Sequence, residues 1–228
     1  MAEAPVALVI HGHFYQPPRE DPWTGEVPVQ PSAAPFHDWN ERITTECYGP
    51  VTAVGVVDDD GGTAVVNLFE HLSFNVGPTL LSWLEPRHPE VYRRILAADA
   101  AAGRAIAQAY GHAILPLCNE RDLRTQVRWG ALDFRHRFGR APEGMWLPET
   151  AVSDAVLAVL AEEGIRFTIL APGQIAASRP LGASGAWAVH GAAAHEGLGP
   201  IERREEESEP VPLDTSRAYR WCHPTRPD

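Results

Sequence analysis

The sequence predicts an α/β fold, built as an incomplete (β/α) barrel of parallel strands with a long loop excursion after the first strand. Three observations support this prediction. Short apolar runs alternate with amphipathic segments of helical period. Each apolar run ends at a polar or proline-rich corner. Strands that alternate with helices indicate a parallel sheet, and polar groups at the strand ends favour a barrel with one shared mouth.

Five strands are predicted, over residues 4–10, 72–76, 105–109, 145–147 and 167–170. The first is continuously apolar, which is typical of a strand buried on both faces. A helix begins with Pro78 in its first turn, and another is closed by Gly164 before the fifth strand. A long helix is predicted over residues 119–138, with an apolar face formed by Leu123, Val127, Ala131, Phe134 and Phe138.

Some segments interrupt this alternation. Residues 14–50 form a loop long enough to be functional or disordered, and its aromatic residues favour an ordered lid or wall of a site. The run at 58–62 lacks the later Glu of a calcium loop, so we interpret it as the turn of a hairpin between residues 54–57 and 63–66. Residues 1–180 are predicted to form one partial domain, and 181–228 an irregular acidic, proline-rich tail that continues in a longer protein.

Composition excludes some function classes. The net charge of −11 argues against nucleic-acid binding, which needs clustered Lys and Arg. Three widely spaced cysteines imply no disulfide framework, so a reducing cytoplasm is expected. The start of the chain lacks a signal peptide's basic residues, and the apolar run at 6–10 is too short to span a bilayer. We therefore expect a soluble cytoplasmic protein without a membrane partner; its oligomeric state stays open.

The stretch from Trp146 to Thr150 places one carboxylate, that of Glu149, at the end of a predicted strand. An amphipathic run follows, formed by Val152, Ala155, Val156, Val159 and Leu160. The carboxyl ends of strands are where α/β barrels keep their chemistry. Alternatively, Glu149 simply favours the amino terminus of the next helix, as acidic residues do.

His11, His13, His112 and Glu149 should converge if the strand assignments hold. A His-x-His pair on a strand puts both imidazoles on one side. With His112 they could hold a catalytic zinc in a metal-dependent hydrolase or deacetylase. In sugar chemistry, the imidazoles would instead bind hydroxyls while the carboxylate attacks the anomeric carbon. Four other histidines that stand alone in the sequence are interpreted as structural: His37, His71, His88 and His136.

Four blocks of this chain resemble, in order, sequence blocks of the family-57 glycoside hydrolases, and the run from 11 to 50 resembles a bacterial branch of that family. The likeness covers roughly residues 5–180. The blocks are His11-Gly12-His13-Phe14-Tyr15-Gln16-Pro17-Pro18, Phe74-Asn75-Val76-Gly77-Pro78-Thr79, Tyr110-Gly111-His112-Ala113-Ile114-Leu115-Pro116-Leu117 and Trp146-Leu147-Pro148-Glu149.

The resemblance implies an incomplete (β/α) barrel acting on α-glucans with retention of configuration, as an amylase, branching enzyme or glucanotransferase does. It implies no metal or cofactor. Glu149 matches the family's nucleophile. Substrate-binding positions are matched by His11, His13, Gln16, His112 and Trp146.

One departure from the family concerns the general acid, an Asp carboxyl-terminal to the nucleophile. Asp154 lies on the helix directly after Glu149, and Asp214 lies in a proline-flanked stretch without a preceding strand. Neither is a convincing equivalent. The sequence therefore predicts the amino-terminal part of a larger catalytic domain, whose apparatus is incomplete in this chain. A non-catalytic carbohydrate-binding remnant is the remaining alternative.

Overall fold

The computed structural model describes residues 8–57, 60–182, 188–190 and 212–222. Its strands are β1 (His11–Phe14), β2 (Val54–Val57), β3 (Thr63–Val66), β4 (Ser73–Val76), β5 (Ala107–Gln108), β6 (Met145–Trp146), β7 (Ala177–Ser178) and β8 (Ala188–Val189). Its α-helices are α1 (Trp39–Ile43), α2 (Gly49–Val51), α3 (Pro78–Arg87), α4 (Pro89–Ala102), α5 (Glu120–Phe138) and α6 (Asp154–Glu162).

The central strands are parallel, as the sequence predicts. β1 pairs with β4, and β5 pairs with β6. A parallel bridge from Phe74 to Ala105 joins the two pairs, and another from Gly144 to Phe167 extends the arrangement beyond β6. The architecture is mixed α/β, and the described residues do not form a closed barrel.

Two predicted strands differ from the structure. The first strand begins at His11 rather than ending before it, and the preceding Leu8 is 86% exposed. The start of β1 is fixed by its pairing with β4 and not by the apolar run. β4 begins at Ser73, and Ser73 lies opposite His11. Residues 4–7 of that prediction lie outside the described residues. The fifth strand reduces to the bridge at Phe167.

The predicted helices are confirmed. α5 begins after Asn119, whose side chain caps it, and ends at Gly139, which has a left-handed backbone. α3 carries Pro78 in its first turn, and Gly164 adopts a positive φ after α6. α5 packs closely on β5, since a methyl group built on Gly130 would lie 2.0 Å from the backbone oxygen of Gln108.

The excursion after β1 is ordered. Arg19 donates hydrogen bonds to Gln16, Gln30 and Asn40, joining three parts of it. Asp38 caps α1 through its carboxylate. Its aromatic residues do not form a single wall: Trp23 is 92% exposed, whereas Trp39 bonds to Ser32 within the excursion.

The hairpin and part of the tail are also described. β2 and β3 pair antiparallel as predicted, although residues 58–59 of their turn lie outside the described ranges. β7 and β8 form a second antiparallel pair, so regular structure continues past residue 180. Residues 212–222 form a turn around Asp214. Residues 203–209, a charged run within the predicted tail, lie outside the described residues. No helix in the described ranges is long and apolar enough to cross a membrane.

Candidate active site

β1 presents two histidines on the same side of the sheet, because side chains alternate along a strand. The His11 ring lies parallel to the indole of Trp146, with ring centroids 5.3 Å apart. The His13 ring lies on the same indole at 4.7 Å. The predicted pairing of these imidazoles is therefore present, and Trp146, at the end of β6, holds them together.

Two further rings extend this arrangement. The His112 ring stacks on that of His13 at 5.3 Å, and Tyr15 stacks on His112 at 3.8 Å. The Nε2 atoms of His13 and His112 are 3.3 Å apart. We call this set the ring stack; its members are His11, Trp146, His13, His112 and Tyr15. It joins two residues of β1 and the last residue of β6 with Tyr15, directly after β1, and His112, four residues after β5.

Two buried amides lie beside the ring stack. Asn75 on β4 is fully buried, and Gln108 on β5 is 2% exposed. Asn75 Nδ2 donates to His13 Nδ1 at 2.8 Å and to Gln108 Oε1 at 2.6 Å. Sequence analysis did not identify either amide as a site residue. The signal that could have found them is a polar side chain inside a short apolar strand, because burial of an unpaired amide is costly.

Glu149 lies in a tight turn and is exposed. Its φ is 56° and that of Thr150 is 52°, a left-handed region that is unusual for a β-branched residue. Gln174 secures the turn, donating from Nε2 to the backbone oxygen of Thr150 at 2.5 Å. The alternative that Glu149 merely starts a helix is wrong, because α6 begins at Asp154. Strained non-glycine backbone of this kind is concentrated at functional sites.

Glu149 interacts electrostatically with two members of the ring stack, His13 and His112. Burial lowers the pKa of His11, His13 and His112 below the usual value. For His13 and His112, the negative charge of Glu149 opposes that lowering of the pKa. The lowered pKa values favour the neutral histidines at neutral pH, and the Glu149 carboxyl group lies within electrostatic reach of two of them.

These lowered pKa values predict a pH dependence of stability. The unfolded chain takes up protons on these histidines at about pH 6.5, whereas the folded protein resists protonation. The free energy of unfolding should therefore be independent of these groups above about pH 6.5 and fall as the pH drops below it. Urea unfolding from about pH 7.5 to about pH 5.5 measures this. His112→Ala should weaken the dependence, and stability that rises on acidification would contradict it.

The side chain of Gln16 is hydrogen-bonded to other residues of the excursion. Its Nε2 donates to the hydroxyl of Tyr48 at 3.0 Å, and its Oε1 accepts from Arg19 at 2.8 Å. Its backbone oxygen accepts from Thr79 at 2.6 Å. Gln16 thus joins the start of the excursion to α3, and its role in substrate binding stays a prediction. Its neighbour Tyr15 is the member of this segment in the ring stack.

The histidines are not arranged for the alternative zinc site. Both ring nitrogens of His11 are engaged, Nδ1 with Ser73 Oγ at 2.9 Å and Nε2 with Asn75 Oδ1 at 3.1 Å. Metal ligation needs lone pairs that converge in the ring planes, but the rings of His13 and His112 are stacked, with only 20° between their planes. Within the described ranges, no group of three His, Cys, Asp or Glu could hold a metal ion.

The two aspartates considered for the general acid are both hydrogen-bonded elsewhere. Asp154 accepts from the indole Nε1 of Trp221 at 2.9 Å. The Asp214 carboxylate accepts from Ser216 and pairs with Arg217 at 2.6 Å. Hydrogen bonds from Ser216 lower the pKa of Asp214, whereas a general acid needs its proton at the working pH.

Comparison with known proteins decides the family. The model of "Glycosyl hydrolase family 57" matches residues 3–179. The chain belongs to glycosyl hydrolase family 57. That match agrees with the extent of the resemblance in sequence, which ends near residue 180.

The chain spans less than a third of the length of each of three similar proteins. Alpha-amylase 1 of Dictyoglomus thermophilum is 28% identical over 92 residues, which are 40% of this chain and 13% of the amylase. The 4-alpha-glucanotransferase of Thermococcus litoralis aligns with a TM-score of 0.51 at 17% identity, over 71% of this chain and 22% of that enzyme. An exo-type maltose-forming amylase from Pyrococcus sp. ST04 aligns with a TM-score of 0.52 at 13% identity, over 70% and 28%. These two structures support a shared fold.

Proposed function

We propose that this chain is the nucleophile-bearing part of a glycoside hydrolase or glucan transferase that acts on α-glucans by a retaining mechanism. Its strands would then form part of an incomplete (β/α) barrel. The observation that carries the proposal is the strained turn that holds Glu149 within electrostatic reach of His13 and His112. The relatives named as an amylase and a glucanotransferase support α-glucan as the substrate class.

Each site residue has a role in this chemistry. The Glu149 carboxylate attacks the anomeric carbon and forms a glycosyl ester, which water or a second sugar then displaces. Neutral imidazoles at His13 and His112 form hydrogen bonds with sugar hydroxyls, and these strengthen as the oxocarbenium-like transition state develops. The indole of Trp146 stacks on the rings of His11 and His13, which fixes the positions of both imidazoles.

Retaining hydrolysis also needs a second carboxyl group, about 5–5.5 Å from the nucleophile. Asp154 and Asp214 are each held by other partners. We therefore propose that the general acid is supplied from outside this 228-residue chain, by a further segment of a longer polypeptide or by a partner chain.

This proposal predicts that the 228-residue chain alone does not hydrolyse glucans. A nucleophile without its acid leaves the departing oxygen unprotonated, so no product should accumulate. The purified chain is incubated with maltoheptaose, and released oligosaccharides are compared with those from Glu149→Gln. Equal, background release from both is expected. Turnover by the native chain that Glu149→Gln removes would show that the acid lies within it.

The histidines give a second test, in the complete enzyme. His13→Ala should lower kcat and weaken substrate binding together, by roughly tenfold or more in kcat/KM, because the lost hydrogen bond strengthens in the transition state. His136→Ala is the matched control, since His136 is exposed on α5. Metal analysis before and after chelation separates the alternatives: stoichiometric zinc, lost together with activity and with His13→Ala, would favour the metal-dependent hydrolase.

A further inference from the structure

The side-chain amide of Asn75 contacts both histidines of β1. Its Oδ1 lies 3.1 Å from His11 Nε2, and its Nδ2 lies 2.8 Å from His13 Nδ1. Asn75 is fully buried, and its Nδ2 also donates to Gln108 Oε1 at 2.6 Å. The amide is therefore fixed from three sides, and its oxygen and its nitrogen each face a different imidazole.

An amide oxygen accepts hydrogen bonds and an amide nitrogen donates them. The imidazole that faces the oxygen must therefore donate, and the imidazole that faces the nitrogen must accept. His11 must carry a proton on Nε2 in order to donate to Oδ1. His13 must leave Nδ1 without a proton in order to accept from Nδ2. A neutral His13 then carries its proton on Nε2, the nitrogen that faces His112 in the ring stack.

We propose that Asn75 is a positioning residue that sets which nitrogens of His11 and His13 are protonated, so that His13 presents an N–H at Nε2 in the site. This inference rests on the proposed function for its consequence: a sugar hydroxyl that accepts would replace His112 as the partner of this N–H. Asn75 acts through the histidines and, in this account, touches neither the substrate nor Glu149.

Nuclear magnetic resonance of the ring nitrogens tests the inference without any activity. In the native chain, labelled with nitrogen-15, we expect a protonated Nε2 and an unprotonated Nδ1 for His13, and a protonated Nε2 for His11. Asn75→Asp replaces the donating amide nitrogen with an accepting oxygen at nearly constant shape. We expect the proton of His13 to move to Nδ1 in this variant.

Asn119→Asp is the matched control. It makes the same change of side chain at an exposed residue outside the site, the cap of α5. Asn and Asp cap helices about equally well, so the fold should be kept. We expect the native protonation pattern in this variant. A protonated Nδ1 on His13 in the native chain, or an unchanged pattern in Asn75→Asp, would overturn the inference.

Binding of maltoheptaose separates this inference from the proposed function. Asn75→Asp should weaken binding about tenfold, equal to about 1.4 kcal/mol, while Asn119→Asp stays close to the native affinity. If both variants bind equally well, the positioning role fails. If the native chain binds no maltoheptaose yet shows the expected protonation pattern, the proposed substrate class is wrong and the effect of Asn75 on the imidazoles stands.

Discussion

Replacing Glu149 with Gln in the complete enzyme should lower kcat by several orders of magnitude while leaving the fold intact. The amide is nearly isosteric with the carboxylate but cannot form the glycosyl ester. The backbone strain at φ 56° is the same for Glu and Gln, so the melting temperature should not change. Steady-state kinetics with an α-glucan substrate measure the effect. Retention of more than about a tenth of the activity, a loss of only ~1.4 kcal/mol, would remove Glu149 from the nucleophile's role.

Glu143→Gln is the control for this experiment. Glu143 is a surface carboxylate six residues before Glu149, and its contact with Arg166 is an exposed ion pair at 3.5 Å. Such pairs contribute little to stability. This variant should retain native turnover, so that a loss confined to Glu149→Gln reports chemistry and not the overall charge of this segment.

Gly130→Ala should destabilise the fold, although Gly to Ala inside a helix ordinarily stabilises by about 1 kcal/mol. The added methyl group would lie 2.0 Å from the backbone oxygen of Gln108, so α5 must move away from β5. Overpacking of this kind costs about 1–3 kcal/mol. Because β5 leads to His112, the ring stack should also be disturbed. Urea unfolding measures the change in the free energy of unfolding.

Arg135→Ala is the control on the same helix, since Arg135 is exposed on α5. A surface substitution of this kind usually changes stability by less than about 0.5 kcal/mol. If Gly130→Ala were as stable as the native protein, or more so, the close packing of α5 on β5 would be wrong.

Local sequence signals predicted much of the fold. The helix at 119–138 follows from its apolar period, with Asn119 and Gly139 as its caps. The hairpin of β2 and β3 and the parallel β4, β5 and β6 also follow from local patterns. The start of β1 does not, because an apolar run gives no information about the partner that fixes its register. That partner lies 62 residues later for His11 and Ser73.

The candidate site was predicted in part. The pairing of His11 with His13 follows from alternation along a strand, and their proximity to His112 and Trp146 follows from the parallel sheet. Asn75 and Gln108 were missed, because a buried amide shows its function only once its partners are known. The left-handed turn at Glu149 was missed too, since neither Glu149 nor Thr150 signals a positive φ as glycine would.

Trapping the covalent intermediate tests the central claim most directly. The complete enzyme is treated with a fluorinated glucosyl fluoride, which forms the glycosyl ester faster than the ester is hydrolysed, and is then digested for mass spectrometry. The anomeric fluoride leaves, so we expect one fluoroglucosyl adduct per chain, on the peptide that contains Glu149 and at its carboxylate. An adduct on another carboxylate, or full turnover of the reagent with Glu149→Gln, would contradict the assignment of Glu149 as the nucleophile.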